Sequence, residues 1–135
     1  MMMERLLVAF GALVMLATTA FGQANEAIED VIGSQLQAFN ERDVTEAFSY
    51  ASPMIKGIFR DPNNFGTMVE RGYPMVWDNS DIRFLALREE EGLILQRVMI
   101  KDAQGVLHTL EYVMIETASG WLINGVQLIA PDLAA

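Results

Sequence analysis

Apolar positions in the first half of the chain recur every three or four residues. After Trp77 they run in extended stretches. Ile28, Val31, Ile32, Leu36 and Phe39 predict a helix over Asn25 to Glu41 with one buried stripe. Glu26, Glu29 and Asp30 sit in its first turns, where the helix dipole favours acids. Asp43 and Glu46 have capping-box spacing and open a short second helix burying Val44, Ala47, Phe48 and Ala51. Ser52-Pro53 starts a third, with Met54, Ile55, Ile58 and Phe59 on its apolar side. Asp61-Pro62 starts a fourth, carrying Phe65, Met68 and Val69 and ending at Gly72. Proline suits the first helical position because no N–H is needed there. Tyr73-Pro74 breaks the helical run.

Ile82 to Arg88, Leu93 to Lys101, Val106 to Thr117 and Trp121 to Ile129 are rich in Val, Ile, Leu and aromatics. Glu90-Glu91-Gly92, Asp102 to Gly105 and Ala118-Ser119-Gly120 punctuate them. Four strands joined by three tight hairpins follow, an antiparallel meander. Asn124-Gly125 lies inside the last strand and predicts a bulge. The fold class expected is α+β, with N-terminal helices packed over the sheet.

A two-residue turn at Ala103-Gln104 would pair Lys101 with Val106. That register puts Leu93, Leu95, Arg97 and Met99 on one face with His108, Leu110, Tyr112 and Met114. The other face then holds Ile94, Gln96, Val98, Ile100, Leu107, Thr109, Glu111 and Val113. Neither face shows the clean alternation of a one-sided sheet. Helices cover one, and a second copy of the chain is the expected cover of the other.

Ahead of the helices lies an apolar run, Leu6 to Ala20, after Glu4-Arg5 and before small residues. That order predicts a cleaved signal peptide, residues 1–24, and a single periplasmic or secreted domain, residues 25–135. The run is shorter than a stable membrane span. The net charge is −9 and the sequence has no basic cluster, which argues against nucleic acid and anionic membrane surfaces as partners. The chain has no cysteine, so disulfides, thiol catalysis and cysteine metal sites are excluded.

Gly120 to Val126 (GWLINGV) and Phe59 to Pro74 (FRDPNNFGTMVERGYP) carry a family likeness. The first resembles the final strand common in the nuclear transport factor two-like superfamily, the cone-shaped α+β fold of ketosteroid isomerases and polyketide cyclase relatives. The second resembles a group of secreted bacterial domains of unknown function of that type. The resemblance implies a strongly curved sheet with a cavity between helices and sheet. In isomerase-like relatives that cavity holds an acid/base carboxylate and a tyrosine-containing oxyanion hole. No motif-matched catalytic aspartate falls on this chain, so no catalytic residue is assigned.

Candidate ligand-binding residues are Tyr73, Arg97, His108 and Tyr112. Tyr73 flanks Pro74 where helices meet sheet, and an aromatic with a polar tip suits a pocket mouth. Arg97 in an apolar strand either clamps a ligand carboxylate or forms an ion pair. In the register above, Glu111 has the wrong parity to be its partner. His108 is the one histidine, either a general base or a strand residue bonded to a neighbour. It cannot build a metal site alone, and no cofactor is expected. Tyr50, Glu111 and Glu116 complete the acid/base and donor candidates.

Three functions remain open. One is a module that binds a small apolar or amphipathic ligand, or joins a protein partner. The second is a small cofactor-free isomerase, dehydratase or cyclase. The third is a structural homodimer whose cone is filled by Phe39, Phe48, Phe59, Phe65 and Phe84. An open cavity with convergent polar groups would favour the first two. A buried carboxylate facing a tyrosine or histidine would favour the enzyme.

Overall fold

The computed structural model describes residues 22–131. The leader expected over residues 1–24 lies outside them for its first 21 residues. Residues 22–40 are helical (α1). Then follow α2 (Val44–Ser49), α3 (Pro53–Phe59), α4 (Pro62–Gly72) and the single turn α5 (Pro74–Trp77). The sheet is β1 (Asp81–Glu90), β2 (Leu93–Lys101), β3 (Leu107–Thr117) and β4 (Gly120–Ile129), in the order β1-β2-β3-β4. Every pairing is antiparallel, so the α+β meander is the fold.

The helix starts follow the cap residues. Asp43, Ser52 and Asp61 each accept an amide hydrogen bond from the residue three positions on. Ser52 and Asp61 are each followed by proline at the first helical position. The second helix buries Ala47 and Phe48, while Val44 is half-buried against Gly66 of α4. A Cβ on Gly66 would lie 2.6 Å from a Val44 methyl, so glycine is what lets α2 and α4 approach.

α1 supplies the helical side of the core. Ile28, Ile32, Leu36 and Phe39 are buried along one stripe, in a cluster with Val98, Ile100, Leu110, Tyr112 and Met114 of the sheet. Each such side chain stabilises the fold by about 1.5–3 kcal/mol. α3 differs: none of its residues is buried, and Met54 and Ile58 are exposed.

The register departs from the expected one by a residue. Lys101 pairs with Leu107, not Val106. The β2–β3 loop takes five residues, because the Asp102 carboxylate accepts the amides of Gln104 and Val106, both at 2.9 Å. Gly105 at φ +85° closes the loop in a conformation that favours glycine. One residue of slip exchanges partners between faces. Ile94, Gln96, Val98 and Ile100 therefore share the helix-facing side with His108, Leu110, Tyr112 and Met114. Leu95, Arg97 and Met99 share the open side with Thr109, Glu111 and Val113.

The other two hairpins are two-residue turns. Glu91 and Gly92 both have positive φ (+52° and +82°), the geometry that matches strand twist. Ala118-Ser119 joins Thr117 to Gly120 as expected. Asn124 is a bulge residue: Val113 pairs with Gly125 and Met114 with Ile123. Its side chain takes a hydrogen bond from the Ser52 hydroxyl (2.7 Å), and the Ser52 amide bonds the Ile123 carbonyl (2.8 Å). The bulge thus anchors the start of α3 to β4.

Candidate functional site

A cavity of about 300 Å³ lies between the helices and the sheet. Gln35 and Phe39 of α1, Ile55, Ile58 and Phe59 of α3, and Phe65, Met68 and Val69 of α4 form its helical walls. Tyr73 and Val76 close one side, and Tyr112, Ile123, Gly125 and Val126 make the sheet wall. Three phenylalanines expected to fill the cone therefore line an opening within it. Among the described residues, no Asp, Glu, His, Lys or Arg is part of this lining.

Three of the lining residues carry a polar side-chain group, Gln35, Tyr73 and Tyr112. Gln35 is buried and donates through its amide to the Ala47 carbonyl at 3.0 Å. Tyr73 donates through its hydroxyl to the Val126 carbonyl at 3.2 Å. Tyr112 is fully buried, and its hydroxyl has no hydrogen-bond partner among the described residues. Burial pushes the Tyr112 phenol well above the ordinary tyrosine range, with the nearby Tyr73 adding to the effect. The phenol is therefore neutral and holds an unused donor. Leaving such a group buried and unpaired costs about 1–3 kcal/mol.

Gln96, directly across from Tyr112, is also fully buried. Its amide nitrogen donates to the Leu85 carbonyl (3.1 Å) and the Arg97 carbonyl (2.9 Å). Leu85 belongs to the bulge of β1 between Phe84 and Leu87, so Gln96 ties off a carbonyl that the irregular pairing frees. Its side-chain oxygen has no partner.

Of the four expected site residues, the cavity brings together Tyr73 and Tyr112. Arg97 and His108 lie elsewhere. Arg97 is on the open face and donates to Glu111 at 3.0 Å. Arg88 grips the same carboxylate through both terminal nitrogens, one bond at 3.0 Å and the other at 2.5 Å. Arg88 also reaches Glu90 at 3.0 Å. The corrected register is what makes Glu111 the partner of Arg97. The two guanidiniums, Arg88 foremost, hold the buried Glu111 carboxyl below its ordinary value.

His108 is near the loop end of β3 and bonds Asp102 at 2.8 Å. That bond and the Val106 amide hold Asp102 below the usual carboxylate range. The pair reinforces the β2–β3 loop. Tyr50 meets Glu46 at 3.3 Å on exposed surface. Neither Glu111 nor Asp102 faces the cavity, so no carboxylate among the described residues stands opposite Tyr112.

Sequence patterning missed the part α3 plays. Ile55, Ile58 and Phe59 read in the sequence only as the apolar side of a helix, and in the structure they wall an opening. The signal available was Gly57, a poor helix former in the middle of a short helix, which marks a weakly packed element.

Comparison with curated proteins and with solved structures gives no match. A family model described as a domain of unknown function, DUF4864, matches residues 22–134. That span includes every element of the fold and the whole cavity wall, and the chain belongs to the DUF4864 family.

Proposed function

We propose that this domain is a binding module for a small apolar or amphipathic molecule held between α3 and the sheet. The observation that carries this reading is the cavity of about 300 Å³, apolar except for tyrosine and glutamine groups. It lies at the lower end of the size range of ligand pockets. The lining's titratable groups are two tyrosines, one bonded to the Val126 carbonyl and one held neutral by burial, and a lining without carboxylate, histidine or lysine favours retention over turnover. The volume counts against a cone filled solid by its phenylalanines.

Helices ahead of a bulged four-stranded meander support a place in the nuclear transport factor two-like superfamily. The apolar run before α1 supports export. The sheet face away from the helices, with the half-buried Met99 and Val113 beside the Arg88–Glu111–Arg97 cluster, is assigned to a second copy of the chain. Light scattering of the domain at micromolar concentration tests that assignment, and a monomer mass refutes it.

Native mass spectrometry of the gently purified domain tests the binding reading. Extra mass from a small molecule, lost under denaturing conditions, is expected. A ligand-free domain that takes up no small apolar probe overturns it.

A further inference from the structure

We infer that a second site lies in the groove between α1, α3 and the β3–β4 hairpin, and that it takes an aliphatic monocarboxylate whose head group meets Lys56. The groove measures about 710 Å³, within the range of ligand pockets. It shares no residue with the cavity wall, so the inference does not depend on the cavity being occupied.

The groove follows from local structure. Ala27, Asp30 and Val31 have helical spacing and form one strip of α1. Pro53 and Lys56 of α3 face that strip across the groove. The hairpin turns on Ala118 and Ser119, whose short side chains leave the space beside the sheet end open. Val31, Trp121 and Leu122 are half-buried along it and supply the apolar surface. Val31 and Trp121 also pack against the core, which holds that surface in place.

Charge selects the head group. Lys56 and Asp30 are the charged residues of the lining, and they do not pair with each other. Among the described residues, no carboxylate lies within ion-pairing distance of Lys56. Its ammonium donates to the Ser49 carbonyl at 3.3 Å, which leaves two of its three N–H bonds for a ligand. The hydroxyls of Ser49, Tyr50 and Thr117 are spent on Glu46 and Gly120. Lys56 is half-buried and Asp30 is exposed, so water and salt screen Asp30 more and the cation sets the preference. Asp30 at the α1 rim disfavours a second acidic group on the ligand. A peptide's amides would find few uncommitted partners here, which favours an aliphatic chain over a peptide C-terminus.

Four probes with the same number of carbon atoms separate the ideas: octanoate, octan-1-ol, octylammonium and N-acetylleucine. Each is titrated into the domain at pH 7 while NMR follows the side-chain N–H of Trp121. Octanoate is expected to shift that signal and to bind more tightly than the other three. Lys56→Met keeps the aliphatic stem and removes the charge. It should weaken octanoate about fivefold, the upper end for an ion pair in contact with water, and leave octan-1-ol unchanged. Lys56→Arg should preserve octanoate binding. Added salt should weaken octanoate and not octan-1-ol, a comparison that stands should Lys56→Met fail to fold. Isopropylbenzene, uncharged and small enough for the cavity of about 300 Å³, is the cavity control, and Lys56→Met should leave its affinity unchanged. Octylammonium, octan-1-ol or N-acetylleucine binding as tightly as octanoate overturns the inference, and so does octanoate binding indifferent to both Lys56→Met and salt. Octanoate that leaves the Trp121 signal unmoved and weakens in Ile58→Ser sits in the cavity, which overturns the groove site and leaves the binding module standing. Failure of isopropylbenzene alone overturns the cavity reading and leaves the groove site standing.

Discussion

Glu111 and Tyr112 are neighbours in the chain and both are buried, yet they solve the burial of polarity in opposite ways. Glu111 points to the open face and is satisfied by two arginines. Tyr112 points to the helices and is satisfied by nothing. The pleat separates them, since successive residues of a strand face opposite sides. A polar group saturated from within is a structural device. One left unsaturated and sealed among packed atoms is a cost that the fold carries.

Arg88→Ala tests the saturated side most severely. It removes the two-pronged partner of a buried carboxylate and should cost about 2 kcal/mol in urea denaturation, after allowance for the partial exposure of Arg88. Acid titration of stability reads the same cluster. Because the folded-state pKa of Glu111 is depressed, its contribution is fully present above the ordinary value of 4.5. It is lost as pH falls from there through the folded value. Thermal melts should show the loss in the natural domain and a shallower loss in Arg88→Ala.

Arg97→Ala removes a single bond to Glu111 and should cost about 1 kcal/mol. Isopropylbenzene affinity should stay unchanged, because the side chain is on the other face. A fall in affinity would break the division between the faces. Tyr112→Phe should move stability the other way, by up to about 1 kcal/mol, since it deletes an unpaired buried hydroxyl. A loss of stability there would mean that the hydroxyl has a partner. Ile58→Ser, on the exposed wall of α3, should change stability by less than about 0.5 kcal/mol and still weaken isopropylbenzene binding.

The elements were legible because local chemistry marks them. Asp43, Ser52 and Asp61 cap as their types require, and Gly72, Tyr73 and Pro74 end α4 where expected. The Asn124 bulge was legible from Asn-Gly inside an apolar strand. The register was not. It depends on whether the β2–β3 loop has two residues or five, and the Asp102 contacts that choose five exist only once the loop has closed. Tyr73 was legible as an aromatic with a polar tip beside Pro74, and Tyr112 only as a hydroxyl donor on the sheet. The pairing of Arg97 with Glu111 was hidden behind the same register error. The cavity itself left little trace in sequence, because α3 reads as an ordinary amphipathic helix and its spacing does not show that Ile58 stays exposed while Ile55 and Phe59 pack against the core.

α3 also carries Lys56 within it and Arg60 at its end, both outside the buried core. A segment fastened to β4 at Ser52 and capped by Arg60 in a strained left-handed conformation opens with less work than α1 does. Trypsin should therefore nick the chain at these two basic residues first. An occupant pressing Ile55 and Phe59 into place would slow that nick, making the lifetime of the intact chain a gauge of occupancy for compounds with no chromophore or label.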